Sequence, residues 1–113
     1  MKPFDIILVP FPFGDLSSSK KRPCLVLSSY TPRSLGEHLI VAMITSKVDK
    51  LKFPFDIRIN QFEEAGLPVP SLIRLGKIVT VERKIVIKKL GSIDSSLRKE
   101  VKLRFKEIFS EIL

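Results

Sequence analysis

Leu39–Thr45 reads LIVAMIT, and Ser46 and Lys47 follow it. So short and so continuously apolar a run reads as a strand buried on both faces. Cys24–Ser29 (CLVLSS) reads the same way, and Phe4–Val9 (FDIILV) is a shorter β-branched run. Phe55–Asn60 (FDIRIN) alternates with period two. Phe55, Ile57 and Ile59 share one face, and Asp56, Arg58 and Asn60 take the other. Leu72–Leu75, Lys77–Glu82 and Ile85–Ile87 continue the pattern, while PFGDLSSS, TPRSLGE and AGLPVP punctuate it with turn-forming residues. Short strands at this spacing predict a small barrel or sandwich. Gln61–Ala65 (QFEEA) fits one helical turn before Gly66.

The period changes near the end of the chain. From Leu97 the apolar positions are Leu97, Val101, Phe105, Ile108, Phe109 and Ile112, at steps of one, three and four. That spacing predicts an amphipathic helix, with Asp94, Ser95 or Ser96 available as its cap. Arg98, Lys99, Lys102 and Lys106 line its other face with Glu100 and Glu107 intermixed, which reads as a solvated face. No repeat or linker divides the chain, so residues 1–113 read as one mainly β domain with a terminal helix.

The chain has 113 residues, enough for one domain with a proper core. Twenty Lys and Arg stand against 12 Asp and Glu, a net charge of +8. That excess points to a polyanionic partner, nucleic acid or an anionic surface. The one cysteine, Cys24, has no internal disulfide partner and suits a reducing compartment. Prolines 3, 10 and 12 and Asp5 interrupt the apolar N-terminal stretch, so it does not read as a secretory signal. No stretch approaches the ~20 apolar residues of a membrane-spanning helix. The expectation is a soluble cytoplasmic protein that does not engage membranes.

Several chemistries lack their residues. There is no glycine-rich phosphate cradle, no Walker lysine and no paired His/Cys spacing for a metal. No cofactor is implied. His38 is the sole histidine, so an acid–base scheme with two imidazoles has no second member. His38 reads as the structural start of the 39–45 strand. Cys24, set in CLVL, reads as a buried small apolar residue, and Glu63, Glu64 and Glu82 read as surface charges.

The cations instead gather at strand ends. Ser19, Lys20, Lys21 and Arg22 precede Pro23 at the mouth of the 24–29 strand. Thr45, Ser46 and Lys47 close the 39–45 strand. Ser71-Leu72-Ile73-Arg74 places a guanidinium inside an apolar run, where it is costly unless it faces a partner or a groove. Strand ends of a small barrel gather on one side. Arg22, Thr45 and Arg74 are then positioned to converge on a basic groove for a single-stranded backbone.

These segments carry a family resemblance. DIILVPFPF, KKRPCLVLSS, LIVAMITS and EAGLPVPSLIRLGKIVTVERKIVIKKLGSI, with the closing helix, resemble the MazF/PemK toxins of type II toxin–antitoxin pairs over nearly the whole chain. The resemblance implies an SH3-like barrel with a C-terminal helix, acting as a homodimer. It implies a sequence-specific, metal-independent endoribonuclease (an mRNA interferase) that cuts single-stranded mRNA. The 2′-hydroxyl would attack, leaving a 2′,3′-cyclic phosphate or 3′-phosphate and a free 5′-hydroxyl. The implied partners are mRNA and an acidic antitoxin, with operator DNA reached only through the antitoxin. The family's catalytic positions fall on Arg22, Thr45 and Arg74. Ser19, Lys20, Lys21, Ser46, Lys47, Ser71 and Lys77 are the expected RNA-binding residues around them. Relatives that use an Arg-x-Asp pair have Asp where this chain has Gly76, which removes a candidate base.

Two alternatives stand beside that reading. One is a non-catalytic module of the same fold that binds nucleic acid or the antitoxin. The other is a gyrase poison of the CcdB type, which shares the barrel. CcdB toxins end in Trp-Gly-Ile, whereas this chain has no tryptophan and ends Ser110-Glu111-Ile112-Leu113.

Overall fold

Alternate residues of the long strands enter two separate cores. The computed structural model describes residues 1–12, 20–30, 36–49 and 53–113. Its strands are β1 (Asp5–Pro10), β2 (Lys21–Ser28), β3 (His38–Thr45), β4 (Asp56–Ile59), β5 (Ser71–Glu82) and β6 (Lys88–Ser92), followed by helix α1 (Ser95–Ile108). They form one antiparallel sheet in the order β4-β5-β3-β2-β1-β6. Ile6, Leu25, Ala42, Ile44, Ile57 and Ile73 belong to the larger core, which Val101 of α1 joins. Their neighbours in sequence, Ile7, Cys24, Val26 and Val41, belong to the second. Both faces of the central strands are therefore largely buried, which is why those strands read as unbroken apolar runs. Each such side chain taken from water contributes roughly 1.5–3 kcal/mol before the entropy of ordering is subtracted.

The sequence predicts two strands on either side of Gly76. The structure has one, β5, with an irregularity at that place. Met43 pairs with Arg74, but Ala42 pairs with Ile78, so Leu75, Gly76 and Lys77 fall between two registers. A bulge bends and twists a strand. Here it lets one strand serve β4 with its first half and β3 along its length, and the sheet curls.

Ile85–Ile87 is not a strand. Arg83–Ile85 forms a 3₁₀ turn that drops Ile85 into the second core. Ile87 N–H then donates to the Leu8 carbonyl at 2.8 Å, and the last strand begins at Lys88. That strand, KKLGS, has no apolar run to announce it. Lysine is usual on an edge strand because it discourages pairing with other chains. At Gln61–Ala65 there is a single turn, closed by Ala65 N–H to the Gln61 carbonyl at 3.2 Å.

Helix α1 starts where its cap predicts. Asp94 Oδ1 accepts from Leu97 N–H at 2.8 Å. It ends at Ile108, so Ile112, expected on its apolar face, lies beyond it and is exposed. Ser110 Oγ donates to the Glu107 carbonyl at 2.9 Å, satisfying a group that a continuing helix would have used.

Candidate active site

Register determines which polar side chains meet. Residues directly opposite each other in an antiparallel pair project to the same side of the sheet. One row across the sheet reads Asp56, Arg74, Met43, Cys24 and Ile7. The next row starts Arg58, Leu72, Thr45. Carried two residues further, the Cys24–Met43 register brings Arg22 level with Thr45, and Val9 stands opposite Arg22. The two rows share a face and lie roughly 7 Å apart along the strands. Arg22 and Arg74 sit on strands separated by β3 and in adjacent rows, with backbones about 12 Å apart, within joint reach of two long side chains.

Each side chain is held from below. Arg22 is half-buried and its Cζ lies 5.3 Å from the centre of the Phe11 ring, a cation–π distance. Thr45 Oγ1 accepts from Lys47 N–H at 3.2 Å, and the hydroxyl keeps its own proton to donate. Arg74 is clamped more tightly. Its Nε and Nη2 donate to the two oxygens of Asp56, each at 3.3 Å. The Arg74 side chain is 14% exposed and that of Asp56 only 1%. Phe53 lies under the guanidinium, 4.6 Å from Cζ to the ring centre.

The exposed cations surround these rows. Lys21 opens β2 and pairs with Pro10 of β1, and Lys20 precedes it. Ser46 and Lys47 are exposed past the end of β3. Lys77 is exposed on the β5 bulge, with Nζ 5.9 Å from the Phe53 ring centre. Ser71 differs from the others. It is 4% exposed, and its hydroxyl donates to the Val69 carbonyl at 2.9 Å, so it secures the start of β5. Ser19 lies outside the described residues.

The residues that the sequence excludes from the chemistry are distant from these rows, buried, or on other surfaces. His38 opens β3 opposite Glu82, seven residues and roughly 23 Å from Thr45. Cys24 is fully buried and burial pushes its thiol up to about 12, so the sulfur is a packed apolar group rather than a nucleophile. Glu63, Glu64 and Glu82 are exposed or half-exposed surface groups. Asp56 and Phe53 contact Arg74, and the sequence did not single them out. The alternation of FDIRIN placed Asp56 on the face away from Ile57 and Ile59, which is the face of Arg74. Only the pairing of β4 with β5 reveals them as partners.

A sequence model of PemK-like, MazF-like toxins of type II toxin–antitoxin systems matches residues 2–109. The chain belongs to this toxin family. Solved structures share its fold at low identity. An endoribonuclease in complex with its cognate antitoxin, from a mycobacterial species, superposes with a TM-score of 0.73 at 10% identity, covering 97% of this chain and 95% of that one. The Mycobacterium tuberculosis toxin MazF-mt6 gives 0.72 at 19% identity, covering 94% and 96%. A MazE–MazF structure from Deinococcus radiodurans gives 0.71 at 14% identity, covering 96% and 94%. No curated protein matches the chain by sequence. The curled six-stranded sheet with its closing helix is thus the MazF toxin fold, the SH3-like barrel expected above. Among the described residues, no helix of this PemK/MazF-like toxin is long and apolar enough to cross a membrane.

Proposed function

We propose that this toxin is a metal-independent endoribonuclease that cuts single-stranded mRNA at Arg22, Thr45 and Arg74. The observation that carries the reading is the strand register, which aligns these three on one face and one end of the sheet. RNA supplies its own nucleophile. The 2′-hydroxyl gives up its proton to solvent as its oxygen bonds to phosphorus, the bond to the 5′-oxygen breaks, and that oxygen takes a proton from solvent, so the products are a 2′,3′-cyclic phosphate and a 5′-hydroxyl. The protein must align the two oxygens and stabilise the added negative charge at phosphorus.

Arg22 is the group assigned to that charge. Its planar fork suits two phosphate oxygens, and the Phe11 ring backs it. Thr45 donates its hydroxyl proton to a non-bridging oxygen. Arg74 binds the neighbouring phosphate. Neither arginine acts as a base, because a guanidinium stays protonated. Lys20, Lys21, Ser46, Lys47 and Lys77 guide the strand across the face, with Ser19 beside them in sequence. The family also supports an acidic antitoxin as partner, a homodimer as the working form and a cytoplasmic setting. Two of the structural relatives are themselves toxin–antitoxin complexes.

The test uses a long unstructured RNA with chelator present. Discrete cuts with 5′-hydroxyl ends are expected. Arg22→Ala should retain the fold by circular dichroism and lose about 10²–10³-fold in cleavage rate. Cleavage at the parental rate would remove Arg22 from the mechanism. The exposed Gly76, which places no carboxylate two residues after Arg74, favours a second reading: a module that binds RNA without cutting it. Salt-sensitive binding with no new 5′ ends is its signature.

A further inference from the structure

We propose that Asp56 is the positioning residue of this site, fixing Arg74 and Phe53 as a single subsite for one nucleotide of the RNA. The proposal rests on the RNA-cleaving reading above and adds to it the group that orients Arg74 and the ring that receives a base. Asp56 spends both carboxylate oxygens on this work. Oδ1 accepts from Arg74 Nε and Oδ2 from Arg74 Nη2, while Oδ2 also accepts from Phe53 N–H at 3.4 Å. The Asp56 N–H returns a bond to the Phe53 carbonyl at 3.4 Å. One nearly inaccessible carboxylate therefore fixes both the guanidinium and the backbone that carries the ring.

The donor inventory says what is left for a ligand. A guanidinium has five N–H donors. Asp56 takes one on Nε and one on Nη2, and among the described residues three remain, two of them on Nη1. These can reach a phosphate. Phe53 is 46% exposed, although Arg74 lies over it and Lys77 stands 5.9 Å from its centre. An aromatic ring left half open beside two cations can stack a base on its uncovered surface while the phosphate is held alongside.

Electrostatics alone makes the opposite prediction for Asp56, and this separates the roles. Asp56→Asn removes a negative charge from a face that binds a polyanion. If Asp56 mattered only through its charge, the variant would bind RNA more tightly and cut at least as fast. If Asp56 positions Arg74 and Phe53 together, kcat falls and binding does not tighten. The expected loss is about 10–100-fold in kcat, measured on an RNA spanning a mapped cut. The loss should vanish when Arg74 is already Gln, since Asp56 acts through it. Phe53→Leu should raise KM, or Kd for a labelled single-stranded RNA, about 5–100-fold, and Phe53→Trp should restore it. Phe53 is exposed, so this arm survives even if Asp56→Asn does not fold. Unchanged kcat in Asp56→Asn, an equal loss with Arg74→Gln in place, or parental KM and Kd in Phe53→Leu would overturn the proposal. If the parent binds RNA without cutting it, the cleavage reading fails, and the Phe53 arm alone decides the subsite. If the parent neither binds nor cuts, both fail together.

Discussion

Cys24 follows Arg22 by two residues on the same face of β2, with its sulfur 3.9 Å from that of Met43. Its nearness in sequence to the charged cluster invites a catalytic reading that burial refutes. The folded thiol titrates at about 12 against 9.0 for an ordinary one. Between those values the unfolded chain has lost a proton that the folded chain retains. The contribution to stability is therefore complete below pH 9 and is lost as pH rises towards 12, at up to about 1.4 kcal/mol per pH unit. Cys24→Ala removes this dependence. Urea titrations of parent and variant from pH 7 to 10.5 should show the parent's advantage shrinking as pH climbs above 9. A gap independent of pH would mean that the thiol is not desolvated. At this scale the sequence was informative where one residue's neighbours decide its state, as for Cys24 in CLVL. Ser71 escaped because its fate depends on the Val69 carbonyl, a bond that composition does not announce.

Two glycines show how elements meet. Gly66 closes the turn after Phe62 with φ +86°, and a Cβ there would run into the Leu90 carbonyl of β6. Gly91 returns the constraint, since its Cβ would strike the Ala65 carbonyl. The turn and the edge strand thus lie backbone against backbone. Gly76 sits on the β5 bulge without a left-handed backbone, and among the described residues its Cβ would meet the Pro54 carbonyl alone, at 3.7 Å, an ordinary contact. The two positions should respond with opposite sign. Gly66→Ala should cost about 1–3 kcal/mol for the backbone strain alone, with the clash added. Gly76→Ala should be neutral or stabilising by up to about 1 kcal/mol, because it restricts the unfolded chain. Thermal melts of the two variants check this, and equal losses would contradict the assigned backbone. Strand existence was legible from apolar runs and alternation. The β5 bulge, the 3₁₀ turn and the polar edge strand were not, because tertiary pairing rather than local pattern creates them.

For the whole molecule, the net charge of +8 says that a polyanion is welcome but not where. Arg22 and Thr45 were legible as strand-end groups, and Arg74 as a cation inside an apolar run. The Asp56–Arg74 clamp was not, because it joins residues 18 apart in sequence through a strand order that one sequence does not specify. The strand order now divides the cations into two sets. Lys77 belongs to the face with Arg22, Thr45 and Arg74, while Lys99 is exposed on α1, whose Val101 packs into the opposite core. If binding followed total charge, losing either lysine would weaken it equally. If RNA follows the sheet face, only Lys77 matters. For single strands, each neutralised phosphate adds about 0.7 to the slope of log affinity against log salt. Lys77→Gln should therefore lower the measured slope by about 0.7, and Lys99→Gln should leave it unchanged. Anisotropy titrations of a labelled single-stranded RNA between 50 and 300 mM salt, about a sixfold range, resolve a difference of that size. Equal slopes for the two variants would move the RNA path off the sheet face and onto the charge of the molecule at large.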